Sequence, residues 1–542
     1  MNRKKVFLVF TVLMLVLGVC IANFGFNTSS SSNIKNNTST SIPTSDTTII
    51  ALKETTAEFI GKNVNIMQNG YYGTIVEING SGTYIIQGSL SKGFISVSEK
   101  GLNVTIILNG VNIVSKNYAA LTSLKKSRVI LVLAENTVNS LSDGSKGAVN
   151  SKYYQTYNSK KQPNATLLAH SNLTIRGSGK LIVNSRFNHG IRSRAGLKIE
   201  GGEIEVNAAK NALKGNNEII ISGGILELVS GNDAVQASTS LSISNATLKI
   251  KTGGGSNVLA IAGSAKGLKA ATDITIDSGT FDIDSNDDGI HSDGTLTINN
   301  GTFAISSGDD AIRSEKRLTV NGGTINITKC YEGLESYNID LNGGFVRIKS
   351  SDDGINISGG GRVGDTEAII DGTLTITGGE YHVESEGDAV DSNGNIEMSG
   401  GTIVAFGPTS TGSTDRSIDF DLTFTMTGGL LVGLGYTTDK MKPPALSDTA
   451  QYAFLAAIDA VPAGTLINVS SDSGTEVLTV KTLGSTRSLL VCSPLLGKGT
   501  YIISSGGSHS GSANALGLYE GGVYSGGSVV KTFTISETTT DI

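Results

Sequence analysis

Tryptophan is absent from the 542 residues, while cysteine occurs three times, histidine five and proline seven. Each scarcity removes a class of protein. Without tryptophan there is no indole platform for stacking flat ligands. Three cysteines, one of them (Cys20) inside the N-terminal apolar segment, make neither a disulfide framework nor a zinc site, and five histidines leave little nitrogen for any other metal. A net charge of -6, from 42 basic and 48 acidic residues, gives no bulk attraction to nucleic acid. No amphipathic helix of useful length can be traced, and no apolar run as long as the N-terminal one recurs.

Against these absences stand 69 glycines. So much glycine with so little proline describes a chain with many unusual backbone turns and few interruptions to strand ladders. Short alternating runs such as GTYIIQG, LNVTIILNG and RVILVLAEN read as strands. The expectation is an all-β protein.

The N-terminus reads as an export signal. Asn2, Arg3, Lys4 and Lys5 precede an apolar run from Val6 to Ala22, with cleavage expected after Ala22 and a retained membrane anchor as the alternative. Leu17-Gly18-Val19-Cys20 resembles a lipoprotein box, but Val19 is larger than that signal accepts before its cysteine. Ser, Thr and Asn dominate from Asn27 to Thr56, too polar to bury a core, and this stretch reads as a flexible stalk. The protein is therefore expected outside the cell, secreted or at the cell surface.

An internal repeat decides the architecture. A small residue, an aliphatic and a variable residue recur as HGIRS, NALKG, DAVQA, KGLKA, DGIHS, DAIRS, EGLES, DGINI, DAVDS and RSIDF. Their variable positions are Arg192, Lys214, Gln236, Lys269, His291, Arg313, Glu335, Asn356, Asp391 and Asp419, most of them 21 or 22 residues apart. Turns such as Gly223-Gly224, Gly322-Gly323 and Gly378-Gly379 keep pace. The Leu and Asn offsets of leucine-rich repeats are missing, so the period marks a β-solenoid whose rungs stack about 4.8 Å apart. The aliphatic of each triplet should point inward and the variable residue outward. Two rungs are longer, around Gly253-Gly254-Gly255 and from Gly359 to Asp371, and must leave the coil as loops. After Gly435 the triplets stop. The chain thus divides into a signal peptide or N-terminal anchor (1–22), a linker (23–56), a parallel β-helix (57–435) and a C-terminal β-rich cap (436–542).

Acidic residues recur at one point of successive rungs: Asp287 and Asp288, Asp309 and Asp310, Glu332 and Glu335, Asp352 and Asp353, Asp388 and Asp391. Carboxylates about 5 Å apart repel one another, which raises their pKa values or calls for a cation. Oxygen ligands about 2.4 Å from a calcium ion span about the rung step across it, so Ca2+ is the expected cofactor at these ten residues. The alternative is that Asp and Asn serve only as turn formers whose side chains bond backbone amides in a ladder. Basic variable residues lie toward the N-terminal half and acidic ones toward the C-terminal half, a gradient able to orient an anionic polymer or simply a solvated face. Lys269, His291 and Arg313, with Tyr331, Tyr337 and Tyr381 as stacking surfaces, are the candidate ligand-binding residues.

The run from ATDITIDSGTFDIDSNDDGIHSDG through DDAIRS and YEGLES to SSDDGINISGGG and EGDAVDSNG resembles the extracellular carbohydrate-binding, polysaccharide-lyase-like β-helix family of cellulose-degrading anaerobes. LNVTIILNGVNI, HSNLTIRGSGKLIVNSRFNHGIRS and SLLVCSPLLGKGTYIISSGG extend the resemblance over nearly everything after the stalk. It implies a right-handed parallel β-helix, calcium at the acidic rungs and a polysaccharide partner of cellulose or pectin type. NALKG and DAVQA carry Ala where the family pattern has Gly, and the first lacks an acid, so no metal is expected near Lys214. Non-catalytic binding by a monomer is the expected activity. The alternatives are a pectate-lyase-like β-eliminase, in which Arg313 or Lys269 would take the C5 proton, and a structural cell-surface adhesin.

Overall fold

A computed structural model describes residues 47–123, 126–143, 164–259, 263–359, 362–363, 366–409, 415–436 and 451–542. The signal or anchor segment, Cys20 and the stalk up to residue 46 lie outside the described residues. Every regular element among the described residues is a strand.

Each coil is built from three strands. In one coil these are Leu268–Ala270, Asp273–Ile276 and Gly279–Ser285, and in the next Ile290–Ser292, Thr295–Ile298 and Thr302–Ser307. Successive coils pair in parallel on all three faces, as Leu268 with Ile290, Ile274 with Leu296 and Phe281 with Phe303. The chain is therefore a parallel β-helix. Its triplet face is a 14-stranded sheet, and the other two faces are joined into one 31-stranded sheet.

Alternation within the short strands dictates the interior. The triplet aliphatics Leu213, Val235, Leu268, Ile290, Ile312, Leu334, Ile355 and Val390 stand in unbroken register, each at most 1% exposed. On the strand after the glycine turn, Phe281 and Phe303 stack with centroids 4.5 Å apart and planes 5° from parallel, a separation set by the rung step. Gly323 (φ 94°) shows why these turns use glycine: its backbone lies in a region costly for side-chain residues, and an added Cβ would sit 2.7 Å from the Gly301 carbonyl of the preceding coil. At the corner before that turn a side-chain ladder runs from Thr377 through Asn342, Asn321 and Asn299 to Asp277, with bonds of 2.7 to 2.9 Å. Turn-forming Asn and Asp thus form their ladder at a different corner from the acidic one.

Both ends close with antiparallel strands, which protects the open edges of the stack. At the start, Thr47–Glu54 pairs antiparallel with Thr56–Ile60 and parallel with Gly82–Leu90. Ordered strand therefore begins ahead of residue 57, correcting the linker reading of 23–56. Thr48, Ile50 and Leu52 alternate inward in this strand, which directly follows the polar stalk sequence. At the far end, Leu430–Gly435 meets Thr486–Ser493 antiparallel, and four strands (Glu476–Lys481, Leu466–Ser471, Gly499–His509 and Tyr524–Ile535) form an antiparallel sheet. Phe454, Val469, Val480, Val491 and Ile503 form a second core that also takes in Val404, Phe406, Val432 and Leu434 of the last coils.

The long rungs emerge at opposite edges of the triplet face. The described residues of the first insertion come just before Leu268–Ala270, whereas those of the second come just after Ile355–Ile357 and include Arg362–Val363 paired antiparallel with Thr366–Glu367.

Candidate functional site

The backbone of the triplet face brings one residue per coil to the corner immediately before the small residue. Amide-to-carbonyl bonds from Gly190 to Asn211, Ala212 to Asp233, Ala234 to Lys266, Gly267 to Asp288, Gly289 to Asp310, Ala311 to Glu332, Gly333 to Asp353, Gly354 to Asp388 and Ala389 to Arg416 fix this column. It therefore holds five acids in consecutive coils, Asp288, Asp310, Glu332, Asp353 and Asp388, with Lys266 before them and Arg416 after. Asp288, Asp310 and Glu332 are buried, and the other two are half-buried.

Three groups of carboxylates each bring ligand oxygens within 4.8 Å of one another: Asp287, Asp288 and Asp309; Asp310, Glu332 and Glu335; Asp388, Asp391 and Asp419. The first contains a cation of its own. Lys266, delivered by the 253–266 insertion, places its ammonium 2.8 Å from Asp287 Oδ1 and 2.5 Å from Asp288 Oδ2. His291 Nδ1 lies 2.6 Å from the same Asp288 oxygen, and its Nε2 lies 2.9 Å from Asp293. Burial opposes ionisation of Asp288, but the His291 hydrogen bond and the Lys266 charge prevail and hold its pKa down at about 2. Its other oxygen, Oδ1, is shut off from solvent and accepts no hydrogen bond. Burial and the Asp310 and Asp288 charges push Asp309 up to about 6.

In the second group Arg313 Nη1 bonds Asp310 Oδ2 at 3.1 Å, while Nε bonds Glu315 at 3.2 Å. The same Nη1 stands 2.5 Å from Glu335 Oε2 in a second ion pair. Burial, then Asp288 and Glu335, drives the Asp310 pKa upward, with Arg313 pulling the other way. The third group is the least compensated. Burial, Asp391 and Asp352 push Asp353 up to about 8, and burial, Asp353 and Asp391 push Asp388 up to about 9. Arg416 answers part of that charge through its amide to Asp388 and its guanidinium to Asp419. Asp352 stands beside Asp353 next to Gly387 but outside the three groups.

These donors suit a hard cation. They are all carboxylate oxygens, the buried Asp288 Oδ1 has no donor, and the acids outnumber the bases around Asp353 and Asp388. A divalent ion would be held by Asp388, Asp391 and Asp419 with Asp353 beside them. Lys266 already offsets part of the charge on Asp287 and Asp288, which makes that end the poorer metal site.

The ligand-binding candidates divide. Tyr381 is 0% exposed, and its hydroxyl donates to the Gly378 carbonyl at 2.9 Å. It is a core residue at the inward position shared with Phe281 and Phe303, which corrects its reading as a stacking surface. Tyr331 is exposed at the acidic corner, and Tyr337 sits half-buried beyond the other end of Leu334–Ser336 with its hydroxyl on Asp371 of the second insertion. Lys269 is half-buried. His291 and Arg313 point outward, as their position requires, yet they are clamped by carboxylates rather than displayed on an open face. Sequence reasoning missed Lys266, Arg416 and Asp419 as members of the site. Lys266 and Arg416 share the alignment position of Asp288, one before the small residue of KGLKA and RSIDF, and that shared position was the available signal.

A family model described as "Carbohydrate-binding domain-containing protein" matches residues 72–233 and 219–311. A carbohydrate-binding domain-containing protein of Acetivibrio thermocellus is 33% identical over 135 residues, which is 24% of this chain and 45% of the relative. The match thus spans less than half of that relative's length. A solved structure, titled as the gadolinium derivative of the polysaccharide lyase-like protein from C. thermocellum, aligns with TM-score 0.38 and 24% identity. That alignment covers 51% of this chain and 96% of the other.

Proposed function

We propose that this protein acts outside the cell, binding an acidic plant-cell-wall polysaccharide of polygalacturonate type through calcium held on the carboxylate column, without cleaving it. The observation that carries the reading is the run of five acids in consecutive coils, with upward-shifted Asp353 and Asp388 at its less compensated end. Carboxylates so placed would repel a polyuronate by themselves. Bound calcium supplies the opposite charge and spare oxygen-ligand positions that bridge protein and polymer carboxylates. Tyr331 and Tyr337, at the two ends of Leu334–Ser336, are the surfaces against which a sugar ring can pack. The carbohydrate-binding family match over residues 72–311 supports the polymer as ligand.

Turnover needs a base whose pKa lies near the working pH. Burial opposes the charge on Arg313, but Glu335 and Asp310 outweigh it and raise its pKa, and Asp288 and Asp287 do the same for Lys266. Lys266 and Arg313 are therefore locked in their protonated forms. The test is retention of the protein on immobilised polygalacturonate and on cellulose, in calcium and in chelator, with ultraviolet absorbance followed for unsaturated product. Retention in calcium and release in chelator, with flat absorbance, is expected. Steady product growth abolished by Lys269→Ala or Arg313→Ala would make the protein a lyase, and no retention on any polymer in calcium would favour an adhesin.

A further inference from the structure

The triplet face carries a second charged cluster several coils before the carboxylate column. Arg192 and Lys214 are direct ladder neighbours, Arg194 lies two residues beyond Arg192, and its amide bonds the Ala169 carbonyl beside His170. His189 occupies the corner position of the Arg192 coil and Lys210 adjoins that of the Lys214 coil.

Two cations of these coils are paired, Lys180 with Glu203 and Glu205 and Lys198 with Glu200. Among the described residues Arg192, Arg194 and Lys214 make no ion pair. Arg192 Nη2 and the Lys214 ammonium instead donate to neutral amides, Asn216 at 2.9 Å and Gln236 at 2.6 Å. Between Asp143 and Glu200 the sequence has no acidic residue and ten Lys or Arg, so no carboxylate can come from that stretch. Asp233 is the acid that Lys214 feels, and Asp233 is itself taken up by Asn211, Ser264 and the Lys266 amide. The Nε atoms of Arg192 and Arg194 are both sealed from solvent without an acceptor. The crowding has a cost: burial, then neighbouring cations, lower the pKa of Arg192 and Lys214 and hold His189 at about 3.

Like charges in adjacent rungs, with no carboxylate paired to them, destabilise a fold unless an anion joins them. The planar fork of arginine matches an oxyanion with two accessible oxygens. From this we infer that Arg192, Arg194 and Lys214 form a metal-independent site for the carboxylate or sulfate group of an acidic polysaccharide. The site depends on the proposed function for the polymer but not for calcium. It gives the face two modes of holding one anionic chain, by direct cation contact toward the N-terminal half and through metal toward the C-terminal half.

The experiment measures binding of oligogalacturonate, a sulfated galactan oligomer and neutral cello-oligosaccharide to the full chain in excess chelator. At least one anionic oligomer should bind and the neutral one should not, and the stronger of the two names the group recognised. Arg192→Gln and Lys214→Gln should each weaken binding by about tenfold or more, the loss of one charge-assisted contact. Neither should lower the melting temperature, because each relieves repulsion. No anion binding in chelator, or equal binding by both variants and the parent, would overturn this site. Loss of the calcium effect with chelator-resistant binding intact would sink the calcium reading and leave this site standing.

Discussion

Lys266 determines how the acidic corner divides its work. Its ammonium is enclosed between Asp287 and Asp288, with side-chain exposures of 12% for the lysine and 2% for Asp288. Removing one partner of so buried a pair leaves an uncompensated charge and costs about 3–5 kcal/mol. Lys266→Met should therefore lower the melting temperature in chelator, and calcium should restore more of the loss than it adds to the parent, because the variant gains a vacant carboxylate pair. Equal calcium responses in parent and variant, read by thermal melts, would contradict that role. Asp353 and Asp388 make a second residue-scale prediction. Their folded pKa values, about 8 and about 9, lie above the unfolded value of about 3.9. A carboxyl raised on folding stabilises fully below its unfolded pKa, and that contribution is lost as pH rises through the folded value. In chelator the melting temperature should fall as pH climbs from about 5 to 9, and calcium should flatten the fall. A profile indifferent to calcium would count against the metal.

At the scale of the strand, Gly333 and Leu334 show what a single rung tolerates. Leu334 is fully buried between Ile312 and Ile355, and Leu334→Ala should cost about 2–5 kcal/mol in denaturant melts. A Cβ on Gly333 would meet the Gly354 carbonyl at 2.2 Å and Ile348 Cγ2 at 2.5 Å, so Gly333→Ala should destabilise through the backbone although the change is small. A Gly333→Ala variant as stable as the parent would show that the coils can separate locally. The repeat made this much legible in advance, because a period near 22 residues and a triplet of small, aliphatic and variable residues specify what faces inward. It could not place what depends on neighbouring coils. Tyr381 looks like a surface aromatic in GGEYHVES until the register sets it in line with Phe281 and Phe303. The Lys266 ammonium arrives from an insertion that breaks the period. Thr47–Glu54 adjoins the polar stalk, but its short apolar run Ile49, Ile50, Ala51 and Leu52 becomes a strand because Gly82–Leu90 offers it an edge.

Across the whole triplet face, charge is graded: uncompensated cations around Arg192 and Lys214, clamped pairs at His291 and Arg313, then undercompensated acids around Asp353 and Asp388. A solenoid produces such a gradient because each coil adds one residue to every column. The central claim is that the acidic end of this gradient holds calcium. Calorimetric titration of calcium into the chelator-stripped full chain tests it most directly, beside the variant Asp353→Asn, Asp388→Asn, Asp391→Asn. Saturable binding by the parent, with the sites at this end missing from the variant, is the predicted result. A parent without saturable heat, or a variant whose stoichiometry and affinity match the parent's, would contradict it.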